Sequence, residues 1–301
     1  MGIKRSIVAK TGRGGMREGI VPFLFLLPFF VSYLMFFLFP ACYSFVLSFF
    51  RYKGYGKAVF VGLDNYVRLF TYSTMWTSLG NTFFYFFTHF IPVMILSFLL
   101  ALAVRSTAVA KSSRFYKMVI FLPQMCAVVA SSLVFKVIFG GEVGVINQLF
   151  GTKIFFLNDL DLLRWPVTSL IIWRSTGWFF VIYLSGLTTI SDEIMDASLI
   201  DGANFFQRTF RITIPMMKSI FMFAFIMDAI SSLKLYTEPV LLTGDMSGIP
   251  PAQSAPFVDV IVNNLQGGSF GMASASGWIL FMIIFMITLL QFGAFKRGEE
   301  R

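Results

Sequence analysis

Histidine occurs once in these 301 residues and cysteine twice. His89 stands alone in an apolar run, where one imidazole serves more readily as a helix–helix hydrogen-bonding group than as a proton relay. Cys42 and Cys126 lie in apolar runs without metal-type spacing, so they read as packing residues rather than as a disulfide. No metal cluster, catalytic triad or paired-carboxylate site emerges from the remaining polar residues. The Gly-x-x-x-x-Gly-Lys-Ser/Thr phosphate loop is missing too, which excludes the usual way of holding ATP. Charge is also scarce, at 13% of residues, against about 25% in soluble domains. What fills the chain instead is apolar: 57% hydrophobic residues, including 39 Phe. Soluble packing cannot hide that much apolar surface, so the composition is that of a polytopic membrane protein. The net charge of +9 does not imply nucleic acid, because the basic residues gather in loops on one side, as the positive-inside bias requires.

Six segments suffice to cross a bilayer core, which takes about 20 helical residues. They run approximately over 21–50, 82–104, 118–139, 165–187, 214–233 and 272–292. The expected fold is an all-α integral membrane protein with six transmembrane helices. Pro28, Pro40, Pro92 and Pro123 lie in or at the ends of these spans, where neighbouring helices satisfy the freed carbonyls. The apolar run after the basic N-terminus is too long for a signal-peptide core, so the first span is expected to remain uncleaved.

Counting Lys and Arg orients the chain. With the N-terminus inside, the cytoplasmic segments hold fifteen: Lys4, Arg5, Lys10, Arg13, Arg17, Arg105, Lys111, Arg114, Lys117, Arg208, Arg211, Lys218, Lys296, Arg297 and Arg301. The outer loops hold six: Arg51, Lys53, Lys57, Arg68, Lys153 and Arg164. This bias puts both termini in the cytoplasm. It organises the chain as a cytoplasmic segment 1–20, a first span with outer loop 21–80, a five-span core 81–295 and a cytoplasmic tail 296–301. The outer loop 235–271 is rich in Gly, Pro and Ser and has no periodic run. Loops of that length are rare unless functional, so it is expected to cap the outer mouth or meet an extracellular partner.

One polar interruption between the fourth and fifth spans carries a spaced motif. Asp196, Ala197 and Ser198 are followed after three residues by Gly202, with Asp201 and Ala203 beside it, and after nine more by Ile212-Thr213-Ile214-Pro215. It resembles the cytoplasmic signature loop of ATP-binding-cassette (ABC) import permeases, which reads Glu-Ala-Ala, three residues, Gly, nine residues, Ile-x-Leu-Pro. Asp196, Ser198 and Ile214 depart from that pattern but keep charge or size class. Further matches cover nearly the whole chain: Gly62-Leu63-Asp64-Asn65-Tyr66, Asn81-Thr82, Arg114-Phe115-Tyr116-Lys117, Leu122-Pro123, Trp173, Gly177-Trp178, Leu187, Leu242-Thr243-Gly244 and 271–275. Their order is similar to the carbohydrate-uptake branch, the maltose, lactose and glycerol-3-phosphate type.

The resemblance implies an importer subunit that breaks no bond in its substrate. It carries no cofactor itself; ATP-Mg sits on a partner. Its partners are a second homologous permease, two ATPase subunits, an extracytoplasmic solute-binding protein and a sugar or oligosaccharide, in a prokaryotic plasma membrane. The residue types suit a mechanical coupler. Ala197, Ser198 and Ala203 are small enough for close approach, Gly202 permits a sharp change of direction between two short helices, and Asp196 and Asp201 suit helix N-termini or basic groups on the partner. Pro215 fits the first turn of the next span.

Intramembrane ionisable groups are costly and functional by default. Arg174 lies thirteen residues before Leu187, and Asp228 thirteen after Pro215, so both sit roughly 20 Å from the inner side at 1.5 Å per residue. Matched depth suggests a salt bridge locking two helices, or a shared polar pathway for substrate. Trp173, Trp178, Tyr183 and Tyr236 are candidate sugar-stacking faces among many lipid-facing aromatics. An ion-coupled secondary transporter is the alternative. It predicts internal repeats with interrupted spans, which the chain lacks, and gives the signature loop no purpose.

Overall fold

The computed structural model describes residues 17–105, 113–245 and 248–297 of the chain. Most of the expected terminal segments, 1–20 and 296–301, falls outside the described residues, as do Lys4, Arg5, Lys10, Arg13, Lys111 and Arg301.

The first apolar run forms α1 (Arg17–Tyr33) and α2 (Phe39–Leu47), joined by a π-helical turn at Leu34–Leu38. Pro40 follows the π-helical turn directly, and the backbone at Leu38 and Phe39 stays helical, so the helix passes a residue that has no N–H. A short antiparallel pair, β1 (Phe50–Arg51) and β2 (Val59–Phe60), sets Phe50 opposite Phe60. After α3 (Asp64–Thr71), helix α4 (Ser73–Arg105) runs 33 residues through Pro92. The third apolar run is not one rod. It forms α5 (Ser113–Met125) and α6 (Val128–Ile138), bent by 94°. The break falls just after Pro123, at Ala127, whose backbone is extended. Then come α7 (Val145–Phe150) and α8 (Arg164–Thr188).

The signature segment folds as α9 (Asp192–Ile200), α10 (Phe205–Arg208), a π-helical turn (Thr209–Thr213) and α11 (Ile214–Met216). A 74° bend at Met217 leads into α12 (Lys218–Leu233). Segment 235–271 is more ordered than its composition suggests, with α13 (Thr237–Thr243) and α14 (Phe257–Gln266) inside it. The last apolar run is α15 (Phe270–Arg297). Among the described residues, four helices are long and apolar enough to cross a membrane, or six if each bent pair counts as one span.

Helices α4 and α8 form the central pair. Val93, Phe98, Phe180, Tyr183, Leu187 and Met217 are buried between them and α12. The rings of Phe98, Tyr183 and Phe221 meet at centroid distances of 4.8–5.6 Å, each pair adding about 0.5–1.5 kcal/mol. Segment 252–257 is fastened to α4: Asn81 donates to the carbonyls of Ala252 (2.8 Å) and Ala255 (3.0 Å), Tyr85 to that of Ser254 (2.9 Å), and Phe257 N–H to Thr82 Oγ1 (2.8 Å). By contrast, α1 and α2 touch the body mainly through Trp278, whose Nε1–H donates to Ser44 Oγ at 3.1 Å and whose ring meets Phe45.

Helix α5 reaches α8 only because residue 177 is glycine. A Cβ there would lie 2.5 Å from the carbonyl oxygen of Ile120 and 3.1 Å from the Cα of Phe121. Both are backbone atoms, which cannot swing aside. Small residues at such crossings let membrane helices close-pack. Gly177→Val is therefore expected to destabilise the solubilised protein by about 1–3 kcal/mol, read as a lower thermal midpoint in detergent; an unchanged midpoint would contradict this packing.

Candidate functional site

Two helix faces turn polar at the same place. On α12, Asp228, Ser231 and Ser232 stand at i, i+3 and i+4 and share a face. On α8, Arg174 and Trp178 are likewise four residues apart, with Ser175 beside them. Between these faces lies a cavity of about 390 Å³, completed by His89 of α4, Gln124 of α5 and the turn 234–238. A polar hollow in an apolar bundle is costly unless its groups pair or meet a polar occupant.

Arg174 and Asp228 do not pair with each other. Arg174 Nη1 donates to Glu238 Oε1 at 2.8 Å, with both side chains mostly buried. Asp228 lies against His89 instead, with 3.5 Å between Oδ1 and Nε2 and side chains 1% and 3% exposed. That approach is not a hydrogen bond: both Asp228 oxygens and both His89 nitrogens lack a hydrogen-bonding partner. The expected Arg174–Asp228 bridge is not formed: Glu238 takes the guanidinium and His89 lies against the carboxyl. Counting residues from the inner ends of the two helices sets Asp228 opposite Arg174. Arg174 reaches past it to Glu238 in α13. Both residues nevertheless line one cavity.

Of the aromatic candidates, Tyr236 and Trp178 line the cavity. Burial, and then the Asp259 carboxylate, push the Tyr236 hydroxyl above the usual tyrosine range, so it stays a neutral donor. Asp259 is itself pushed up by burial, opposed by a hydrogen bond from Asn263 at 2.6 Å. Trp173 is outside the cavity lining, its ring 5.6 Å from that of Phe135. Tyr183 is a core residue whose hydroxyl donates to Met94 Sδ at 3.1 Å.

The signature segment is a hinged helix pair. Helix α9 ends in a Schellman arrangement: Ala203 N–H donates to the Ser198 carbonyl (3.0 Å), Gly202 N–H to that of Leu199 (3.1 Å), and Gly202 takes φ +73°. Asn204 then starts α10 with a capping box, exchanging 2.9 Å hydrogen bonds with Gln207. The N-caps are thus Ser191 and Asn204, not Asp196 or Asp201, which occupy the middle and C-cap of α9. Asp196, Ala197, Asp201 and Gly202 are exposed, and Ala203 and Ile212 half-buried. Ser198 is buried against the chain's own body, donating to the Met195 carbonyl at 2.6 Å, and so is not on the outward face. Pro215 is exposed in α11, ahead of the bend rather than in the first turn of α12. Around the hinge, Ile200 is 87% exposed, Phe206 69% and Phe210 64%. An apolar cluster of this kind marks a surface that a partner or a membrane covers.

Four residues of the cavity and the loop escaped the sequence reading. Glu238 is the acid nearest the far end of the fifth span, and Asn204-x-x-Gln207 spells a capping box. Those signals were legible. The role of Gln124 in the cavity depends on the α5–α6 break and had none.

Membrane-crossing helices around a polar cavity, joined by a loop with an exposed apolar face, define a multi-pass membrane permease. In sequence the chain is similar to the lactose transport system permease protein LacF of Rhizobium radiobacter, 30% identical over 303 residues covering 98% of this chain and 100% of LacF. It is also 30% identical over 288 residues to the arabinooligosaccharides transport system permease protein AraP of Bacillus subtilis (strain 168), covering 92% and 90%. The chain belongs to the family of ABC transporter permeases of sugar transport systems; it is an importer subunit and not itself an enzyme. Its fold matches a chain in a crystal structure of a bacterial alginate ABC transporter in complex with an alginate pentasaccharide-bound periplasmic protein. The TM-score is 0.78 at 20% identity, over 94% of this chain and 96% of that one. No family model matches the chain.

Proposed function

We propose that this chain forms half of the pathway by which an ATP-driven importer moves a sugar or oligosaccharide across a prokaryotic plasma membrane. In this reading both bent helix pairs are single spans, which makes six with α1–α2, α4, α8 and α15. Both termini and the loop α9–α11 face the cytoplasm, as the basic-residue bias supports. The core is 81–295, flanked by the peripheral first span and outer hairpin, 21–80, and by cytoplasmic ends 1–20 and 296–301. The loop docks on one of two ATPase subunits, which hold ATP-Mg. A second homologous permease closes the open side of the cavity, and a solute-binding protein delivers substrate at the α13–α14 end.

The observation that carries this reading is the hinged loop α9–α11, whose 205–216 part is turned 74° from α12 and which exposes Ile200 and Phe206. Asp196, Ala197, Asp201 and Gly202 form the contact face, while Ser198, Ala203, Ile212 and Pro215 shape and hold it. Lactose and arabinooligosaccharides are the cargoes named for LacF and AraP. A sugar suits the cavity: the Asp228 carboxyl and His89 imidazole, whose polar atoms make no hydrogen bond, accept from and donate to hydroxyls, and Tyr236 adds a neutral hydroxyl and a ring face. Arg174 lines the route with its charge engaged by Glu238, and Trp173, outside the lining, packs on Phe135.

The test is a photo-crosslinking amino acid at position 200 combined with affinity capture in mild detergent. Recovery of a second permease, and an ATPase cross-linked through position 200, is the expected result. Recovery of the chain alone, with uptake driven by an ion gradient and indifferent to ATP, would promote the ion-coupled alternative.

A further inference from the structure

Arg105 ends α4 and sits where three elements meet. Its guanidinium donates to the main-chain carbonyls of Leu187 and of Ile190, the latter at 2.9 Å, and to Asp192 Oδ1 at 3.2 Å. Leu187 lies in the last turn of α8, Ile190 in the connector, and Asp192 is the first residue of α9. Late helix carbonyls have no partner within their helix and favour a cation. Arginine's rigid planar fork presents five donors in fixed directions, whereas lysine's three sit on a compact head at the end of a flexible stem. The Arg105 side chain is 19% exposed, and Leu187 and Ile190 are buried, so this clamp is shielded on its carbonyl side. Asp192 is 92% exposed, and its ion pair adds little.

The other end of the loop is held by packing. Met217, at the bend, is fully buried, and the absence of a side chain at Gly186 makes room for it: a Cβ there would lie 2.8 Å from Met217 Cε and 2.5 Å from Ile220 Cδ1. The loop α9–α11 is thus tied at both ends to the end of α8, and at its beginning to α4 as well. A push on its tip has no slack to take up before it reaches these helices.

We infer that Arg105 is a positioning residue for coupling: it locks the beginning of the loop to α4 and α8, so that displacement of the loop moves both helices together. This rests on the reading of α9–α11 as the ATPase-docking loop. Losing the clamp leaves the docking face intact but lets α9 pivot on the connector, so ATP is hydrolysed without a full swing of the bundle.

The experiment uses the complete complex in proteoliposomes with its binding protein, and reads substrate taken up per ATP hydrolysed. Arg105→Gln is expected to lower that ratio about tenfold, within the range of site-to-site coupling, while hydrolysis continues. Arg105→Lys, which keeps the charge but not the fork, is expected to lower it less. A role confined to stability would reduce the amount of complex without moving the ratio. If Arg105→Gln fails to accumulate, Arg105→Lys carries the test, and a wild-type ratio in the variant measured overturns the inference. The position-200 cross-link is checked in the same complexes. Its absence from the wild type removes the docking reading and this inference with it, whereas its presence beside a wild-type ratio removes this inference alone.

Discussion

Gly202→Asp is expected to abolish uptake while leaving the chain inserted and assembled. Residue 202 has φ +73°, so any side chain there bears a left-handed backbone cost of about 1 kcal/mol, with Asp and Asn the most tolerant. No heavy atom lies within 4 Å of the position a Cβ would take. Beyond that small backbone cost the substitution meets no clash inside the chain; what it adds is bulk and charge on the outward hinge between Ile200 and Phe206. If that hinge sits in a cleft of the ATPase, a carboxylate there separates the two surfaces. Uptake by the reconstituted complex is expected to fall at least about tenfold, equivalent to about 1.4 kcal/mol, at matched membrane levels. Gly202→Asn, similar in size and comfortable at positive φ, separates charge from bulk and is expected to lose less. Normal uptake by the Asp variant would remove the loop from the coupling path.

The residues that made the family legible turn out largely to be fasteners. Asn65 donates to the carbonyls of Ser48 (2.8 Å) and Phe50 (2.9 Å), tying α3 to the end of the first span. Asn81 and Thr82 hold segment 252–257, Gly177 admits α5, and Gly202 turns the loop. Each is a polar or glycine position in an apolar chain, where a single residue type satisfies the local geometry, so a short motif carries structural information. Helix continuity was less legible. Hydropathy reports length and apolarity, and α5–α6 satisfies both while bending by 94°. Pro123 marks the neighbourhood of the break but not its angle, since many membrane helices carry proline without one. The same blindness hid Glu238 as the partner of Arg174. Segment 235–271 read as structureless because its helices are short and its Gly and Pro cluster between them. Long-range hydrogen bonds from α4 order it, and those are invisible to local pattern.

The Arg174–Glu238 pair decides how much of the cavity serves binding and how much serves architecture. Its side chains are 13% and 16% exposed. Removing one member of such a pair strands a shielded charge, at a cost of about 3–5 kcal/mol. Glu238→Ala is therefore expected to lower the thermal midpoint of the solubilised protein sharply and to deplete it from the membrane. The double variant Arg174→Gln/Glu238→Gln removes both charges, keeps similar shapes and leaves amides able to bond each other, so much of that loss is expected to return. Uptake then separates the two roles. If the pair joins α8 to α13 and does no more, the double variant transports like the wild type, because the hydroxyl-binding groups, Asp228, His89 and Tyr236, are untouched. If the guanidinium itself holds the solute, the double variant assembles normally and transports poorly. We expect the first outcome. At 2.8 Å from a carboxylate, Arg174 already has the partner that a neutral sugar would have to displace, whereas Asp228 and His89, 3.5 Å apart, make no side-chain hydrogen bond.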